Sequence, residues 1–389
     1  MSASTERPSG SAPPRNSLIL VSYNFPPAVG GIEQLCVELA RALHALGVEV
    51  HVLTKPQPSA AAFDAREPYR VHRFRGADVG LCVELAALLR AGHTRVLCLQ
   101  WTSALWLAAA RVVFGVPRVL GVMVMGKEIY PSPRSPFPEG LQLAALRRVI
   151  GAASHVLPIS HFTEARLQAR APHPHVQTVT LGVDASRFPA PDAAAVERFR
   201  AGRPGPIVLS VARLVPRKGM DTLLRALPAL LQQHPKLHCL LAGDGPDAER
   251  LHGIARKLDV ESHVTFLGRV SDVDLPALYA ACDVFALLSR ADAGGSDIEG
   301  FGLVLLEAQA AGCAVVTTNE GGMPDAMQPD VTGVLVDAHD PDDAARRTGA
   351  LLADAARLQA MRVAAVQYAR TQTWQATAQR VLATLEQDP

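Results

Sequence analysis

The chain has 389 residues, with 38 Lys and Arg against 37 Asp and Glu, and is 49% hydrophobic. That length suits two domains of about 170–190 residues each, and the balance is that of an α/β protein with ample core, not of a disordered or collagenous chain. No apolar run approaches the ~18–20 residues of a membrane span, and the absence of aromatic–basic interleaving argues against nucleic acid as a partner.

Residues 1–15, MSASTERPSGSAPPR, lack an apolar signal core and read as a disordered tail. Ser17–Tyr23, SLILVSY, is a buried strand, and FPPAVGGIE leads from it into the amphipathic helix EQLCVELARALHALG. Gly30 and Gly31 at this strand-to-helix turn suit either an ordinary tight turn or close backbone approach by a phosphate. Strand VEVHVL, an arginine-rich stretch (Arg66, Arg70, Arg73, Arg75), strand Arg95–Gln100, a helix near Ser103–Phe114 and strand Arg118–Met123 follow. Strands and helices alternating at this length predict a parallel, doubly wound sheet with its functional loops at the carboxyl ends of strands. Met125-Gly126-Lys127-Glu128 falls at such an end. Lys127 and Glu128 there either bind an acceptor or pair on the surface.

Tyr130–Glu139 is proline-rich and reads as a mobile loop. The helix after it carries Arg147 and Arg148, which suits a membrane-facing edge or a core helix with a solvated edge. Ser160, before HFTEARLQA, is an expected N-cap. Residues 189–206, rich in Pro, Ala and Gly, read as a linker, and a second domain opens at Ile207 with IVLSVARLVPRKG. Arg213 and Lys218 stand five apart across the loop after this strand, a spacing that can grip a diphosphate; the plainer reading is two solvated cations. Asp272-Val273-Asp274 has the look of a DxD metal motif, but SDVDLPALYA is better read as a helix start with acidic residues favoured by the dipole. Asp340-Pro341-Asp342 repeats that pattern. His173-Pro174-His175 has no carboxylate or cysteine company and is not read as a metal site.

The central stretch is Ser289–Gly312, SRADAGGSDIEGFGLVLLEAQAAG. Its first half is loop chemistry, its second an apolar helix ending at Gly312. Glu299 and Glu307 stand eight positions apart around the helix start, with Gly300-Phe301-Gly302 between. A helix N-terminus with open N–H groups suits a phosphate or a polyol. Glu307, on a helix rich in Val, Leu and Ala, needs a buried partner.

The carboxylate–EGFG–carboxylate arrangement, RLVPRKG, FPP…GGIE and the DGP and GRV turns (Asp244-Gly245-Pro246, Gly268-Arg269-Val270) together resemble the retaining glycosyltransferases of the GT-B class. Within them they resemble family 4, the glycosyl transferases group 1, in its phosphatidylinositol mannosyltransferase-like branch. The resemblance spans roughly Leu18 to Trp374. It implies an α/β GT-B fold: two Rossmann-like, doubly wound parallel-sheet domains with a cleft between them, at 16–188 and 207–370, and a final helix at 371–389 crossing back to the first. By resemblance, Gly30 and Gly31 face the donor diphosphate, and Arg213 and Lys218 stabilise it as it leaves. Arg269 and Val270 lie on the nucleobase. Glu299 contacts the donor sugar, Gly300, Phe301, Gly302 and Leu303 offer backbone groups, and Glu307 binds the ribose hydroxyls. Gly321-Gly322 is a family-like turn near the sugar. The family commonly has His-Gly-x-Asp/Glu where this chain has Met125-Gly126-Lys127-Glu128, so no role of that histidine carries over.

The resulting expectation is a retaining, metal-independent hexosyltransferase of polysaccharide or glycolipid biosynthesis, with Glu299, Arg213 and Lys218 carrying the chemistry. The donor is GDP-mannose or a UDP-sugar, the acceptor a glycan or lipid-linked acceptor held by the first domain through Lys127 and Glu128. No metal or other cofactor is expected. A nucleotide-sugar epimerase of the same fold, or a silent nucleotide-sugar-binding partner, remains the alternative. The six cysteines have no CxxC pairing and read as reduced core residues of a cytoplasmic protein. Residues 1–190 hold 19 Lys/Arg against 12 Asp/Glu, and the remainder 19 against 25. A basic first half suits peripheral contact with the inner membrane surface or an anionic acceptor; solubility alone is the simpler account.

Overall fold

The computed structural model describes residues 16–28, 30–75, 77–130, 137–292 and 297–387, with the side chains of 77, 78 and 114 excepted. The tail expected at 1–15 and most of the proline-rich loop lie outside these residues. Two compact units emerge. The first comprises, among the described residues, 16–123, 145–156 and 382–387; the second comprises 124–144 and 157–381.

The first sheet holds β1 (Ser17–Val21), β2 (Glu49–Thr54), β3 (Arg70–Arg73), β4 (Arg95–Cys98), β5 (Val119–Val124) and β6 (His155–Pro158), in the order β3-β2-β1-β4-β5-β6. Its first four junctions are parallel, with Ile19 opposite His51 on one side and Val96 on the other. SLILV is buried at every position, the continuous apolar run expected of a strand covered on both faces. Its helices are α1 (Gly31–Ala45), α2 (Ala60–Asp64), α3 (Ala77–Arg90), α4 (Leu105–Phe114) and α5 (Glu139–Ala152). In α1, Leu35, Leu39, Ala42 and Leu43 recur at helical spacing and are buried, which is why this stretch docks as a helix. The helix expected near Ser103–Phe114 is α4, entered through a 3-10 turn at Trp101–Ala104. Ser103 Oγ bonds the Gln100 carbonyl at 2.7 Å and so favours that turn.

The second unit carries α6 (His161–Arg170) and α7 (Ala193–Arg200), then β7 (Ile207–Val211), α8 (Met220–Gln233), β8 (His238–Ala242), α9 (Ala248–Lys257), β9 (Val264–Gly268) and α10 (Leu275–Ala281). β10 (Val284–Leu287), α11 (Leu303–Ala310), β11 (Ala314–Thr318), β12 (Gly333–Val336), α12 (Pro341–Ala353), α13 (Ala355–Thr371) and α14 (Trp374–Leu385) complete the chain. The sheet order is β12-β11-β10-β7-β8-β9, parallel throughout. Leu223, Leu224, Leu227 and Leu230 of α8 pack on Val208, Leu241, Val284 and Val316 of the strands, forming this unit's core.

Local signals held where a side chain could act alone. Ser160 caps α6 by accepting from Thr163 N–H, worth about 1 kcal/mol. Asp340 caps α12 by accepting from Asp342 and Asp343. Asp274 stands at the N-cap of α10, bonded to Ser271 and paired with Arg198. The stretch expected as a linker at 189–206 contains α7. AAAVERFR is a run of good helix formers, and its α-helical turns pack beside α10. The six cysteines are free thiols, five of them buried.

Candidate functional site

β7 and β10 are neighbours, yet the chain leaves them in opposite directions: β7 leads on to β8 and β9, β10 to β11 and β12. The crevice outside the carboxyl ends of such a pair is where open α/β sheets bind ligands. The loop after β7 carries Arg213, Arg217 and Lys218; the loop after β10 carries Asp297 and Glu299 and runs into α11.

The two loops meet through charge. Lys218 Nζ lies 2.5 Å and Arg217 Nη1 2.7 Å from the same oxygen, Oε2 of Glu299. Arg217 also reaches Asp297 at 3.3 Å, and Lys127 Nζ lies 2.8 Å from the other oxygen of Asp297. Three cations and two carboxylates thus form one continuous chain. Lys218 and Glu299 are only 12% and 16% exposed, so the pair is weakly screened. Burial pushes the Glu299 carboxyl up, but the charges and hydrogen bonds of Lys218 and Arg217 outweigh it and hold the pKa at about 2.

Backbone geometry places these cations. Gly219 ends the 3-10 turn Pro216–Lys218 at φ +68°, the left-handed region, and a Cβ there would stand 1.7 Å from the Leu288 carbonyl oxygen. Arg290 N–H donates to the Arg217 carbonyl at 2.8 Å. The Arg290 side chain is itself held by Asp221, at 2.9 Å to each carboxylate oxygen. Arg213 lies elsewhere on the loop. Its side chain is exposed and, among the described residues, takes no ion-pair partner.

The EGFG turn is wedged by close contacts. A Cβ on Gly300 would stand 2.1 Å from the Met125 carbonyl oxygen, and one on Gly322 would stand 1.9 Å from the Gly300 carbonyl oxygen. Gly322 N–H donates to the Glu299 carbonyl at 2.9 Å. Gly302 caps α11 at φ +86°, with Phe301 buried and Leu303 the first helical residue. The N–H groups of a helix's first turn have no intrahelical acceptor. Glu307, 9% exposed, accepts from the Tyr279 hydroxyl at 3.2 Å, the buried partner its position demanded.

Of the segment after β5, Met125 is buried. Glu128 bends back to accept from Met125 N–H at 2.5 Å, and burial raises its pKa. Lys127 stays exposed in its pair with Asp297. Gly30 and Gly31 belong to the first unit, where Gly30 precedes α1 and Asn24 holds Glu33 at 3.1 Å. Arg269 is exposed after β9 and Val270 half-buried, beside Gly268 at φ +63°. The site therefore joins Lys218, Glu299, Gly300, Gly302 and Lys127, with Glu307 further along α11. Arg217 and Asp297 were not singled out from the sequence. The adjacent cations of PRKG were the available signal, but only the turn geometry decides which side chain points at Glu299. A separate cavity of ≈ 690 Å³ at the carboxyl ends of β11 and β12 is lined by Glu320, Asp337, His339 and Arg347, and includes none of these groups.

Comparison with known proteins gives a consistent picture. Residues 195–372 match the family model Glycosyl transferases group 1, and residues 29–187 match Glycosyltransferase Family 4. The GDP-mannose-dependent alpha-(1-6)-phosphatidylinositol monomannoside mannosyltransferase of Mycobacterium tuberculosis is 34% identical over 373 residues, covering 91% of this chain and 94% of the relative. A D-inositol 3-phosphate glycosyltransferase of Salinispora tropica is 31% identical, covering 91% and 80%. Among solved structures, sucrose-phosphate synthase from Thermosynechococcus elongatus superposes with a TM-score of 0.76 at 22% identity, covering 95% and 98%. Anabaena HepE with UDP and glucose gives 0.74 at 21%, covering 95% and 99%. These likenesses carry the fold: the two six-stranded parallel sheets are those of the GT-B class.

Proposed function

This chain belongs to the family 4 glycosyltransferases, the glycosyl transferases group 1, and is a hexosyltransferase; we propose that it moves mannose from GDP-mannose to a lipid-linked or glycan acceptor with retention of configuration. The observation that carries the reading is the shared hold of Lys218 and Arg217 on Glu299 at the β7/β10 crevice. A donor diphosphate is a stronger anion than one carboxylate. On binding it takes these two cations and frees Glu299 to accept hydrogen bonds from the sugar hydroxyls. As the bond from sugar C1 to the phosphate oxygen breaks, charge grows where the cations stand, which lowers the barrier. The acceptor oxygen bonds C1 from the same face, and its proton passes to the departing phosphate. The α11 N-terminus, with Phe301 to Leu303, offers N–H groups to the donor, and Glu307 accepts from the ribose hydroxyls. Arg213, Arg269 and Val270 border the diphosphate and base. The acceptor-side domain spans 16–188 and the donor-side domain 207–370. No metal is needed, because the cations supply the positive charge.

GDP-mannose is favoured over a UDP-sugar because the Mycobacterium tuberculosis relative described above is GDP-mannose-dependent. A lipid-linked acceptor accords with the basic first half of the chain and with Trp106, Val112 and Val113 of α4, which are 53%, 64% and 68% exposed. Such a surface suits peripheral contact with an anionic membrane face. No helix among the described residues is long and apolar enough to cross a membrane. The test is a thermal-shift panel of GDP, UDP, ADP and TDP with their sugars, followed by acceptor-dependent nucleotide release. GDP and GDP-mannose are expected to stabilise most; preferential stabilisation by UDP-sugars replaces the donor assignment, and no stabilisation by any nucleotide removes it.

A further inference from the structure

The first unit holds a second group of chemically active side chains, none of them part of the site described above. Glu49 and His51 are two apart on β2 and so point to the same face. His93 lies just before β4, and its ring centroid is 4.4 Å from that of His51. One ligand-capable atom from each of Glu49, His51 and His93 falls within 4.8 Å of the other two. All three residues stand at the amino end of the sheet, because β1, β2 and β4 run parallel and begin at Ser17, Glu49 and Arg95.

The cluster is built and oriented. His51 and His93 are 1% and 6% exposed, while Glu49 reaches the surface. His51 Nε2 lies 3.2 Å from Glu49 Oε1. Two ligand atoms of a tetrahedral site with bonds of about 2.0–2.1 Å stand about 3.3 Å apart, so this edge needs almost no adjustment. The remaining ring nitrogens are tied: His51 Nδ1 lies 3.0 Å from His72 Nε2, and His93 Nδ1 lies 2.9 Å from Ser17 Oγ. Outer contacts of this kind set the tautomer and direction of ligating imidazoles. The network is also satisfied without a cation, with His72 donating to His51 Nδ1 and His51 Nε2–H donating to Glu49. Moving one proton within each of the two rings turns the His51 Nε2 lone pair toward the carboxylate and leaves both rings neutral. Arg70 Nη1, at 3.9 Å, is the one cation paired with Glu49 among the described residues, and it is too loose and exposed to hold the carboxylate. Aliphatic side chains would fill this position in an ordinary strand at lower desolvation cost.

We propose that Glu49, His51 and His93 bind a divalent late first-row cation, zinc foremost, which clamps β2 to the segment entering β4. Two imidazoles and a carboxylate form a donor set of that class, with water completing the shell. The role is structural, and the transfer chemistry proposed above does not require it.

The experiment uses the full-length, tag-free chain, stripped with chelator and dialysed, then titrated with Co²⁺ followed by visible absorbance and with Zn²⁺ followed by calorimetry and melting. The expected result is one equivalent per chain, a tetrahedral Co²⁺ spectrum displaced by Zn²⁺, and a raised melting temperature. Glu49→Gln, at a partly exposed position that tolerates the change, and His93→Gln should abolish stoichiometric uptake. Ser17→Ala and His72→Gln should weaken it about 10–100-fold, and exposed His44→Ala should leave it unchanged. Absence of stoichiometric uptake by the wild-type chain, or equal uptake by folded Glu49→Gln protein, overturns the proposal.

Discussion

Lys218 Nζ sits 2.5 Å from Glu299 Oε2, although the two stand 81 positions apart in the chain. The contact fastens the loop after β7 to the loop after β10, and Arg217 adds a second cation to the same oxygen at 2.7 Å. A carboxylate held this way orders the site before any donor arrives. It also holds the two cations side by side by offsetting their mutual repulsion, and in the function proposed above the donor diphosphate takes over that role.

Lys218→Ala should therefore lower kcat and weaken donor binding together, with kcat falling about 100- to 1000-fold, the usual size of losing one preorganised charge-stabilising group. Arg217→Ala should show the same pattern. Arg213→Ala, removing an exposed guanidinium that takes no ion-pair partner among the described residues, should be milder. Steady-state kinetics with varied donor separate these cases; a Lys218→Ala enzyme with unchanged kcat would show that the cation does not meet the leaving group.

Glu307→Ala and Glu299→Ala should fail differently. The first removes the proposed ribose contact and strands the Tyr279 hydroxyl, so nucleotide affinity measured by calorimetry should drop. The second should mainly slow transfer, with nucleotide affinity kept or even improved as Lys218 and Arg217 are freed. Equal and unchanged behaviour of both variants would remove the assignment.

The depressed Glu299 pKa makes a pH prediction. Its ordinary value is 4.5 and its folded value about 2. Such a group adds stability that is fully present above about pH 4.5 and is lost as pH falls toward 2, a contribution on the order of 3 kcal/mol at neutral pH. Denaturation of wild type and Glu299→Gln should differ by a constant amount from pH 5 to 8 and converge in stronger acid. Any acidic limb of kcat/KM above pH 4.5 should likewise persist in residual Glu299→Gln activity. Disappearance of that limb would identify Glu299 as the titrating group.

Gly300→Ala places a methyl where the Met125 carbonyl oxygen would be 2.1 Å away. Forcing the two segments apart should cost about 1–3 kcal/mol and displace Lys127 from Asp297, with loss of transfer. Gly253→Ala, in α9 with nothing within 4 Å of the added Cβ, is the matched control. It should be neutral or stabilising by about 0.5–1 kcal/mol. Melting curves of the two variants decide the point; equal melting temperatures would mean the turn accommodates the methyl.

Much of this protein was determined by the sequence alone. Continuous apolar runs such as SLILV and IVLSV, alternating with helical patterns such as MDTLLRALPALL, specify parallel α/β sheets, because burial on both strand faces and on one helical stripe are local demands. Caps such as Ser160 and Asp340 were legible for the same reason, since each side chain acts on the next few N–H groups. RKG and EGFG marked the site's two loops. Only the tertiary structure decided that Arg217, not Arg213, joins Lys218 on Glu299, that Asp297 links Arg217 to Lys127, and that Tyr279 is the partner of Glu307. These choices depend on a left-handed glycine, a glycine-to-carbonyl contact and the sheet order β10-β7, which bring residues 28 to 170 positions apart within hydrogen-bonding reach. Spacing along the chain carries no record of such distances.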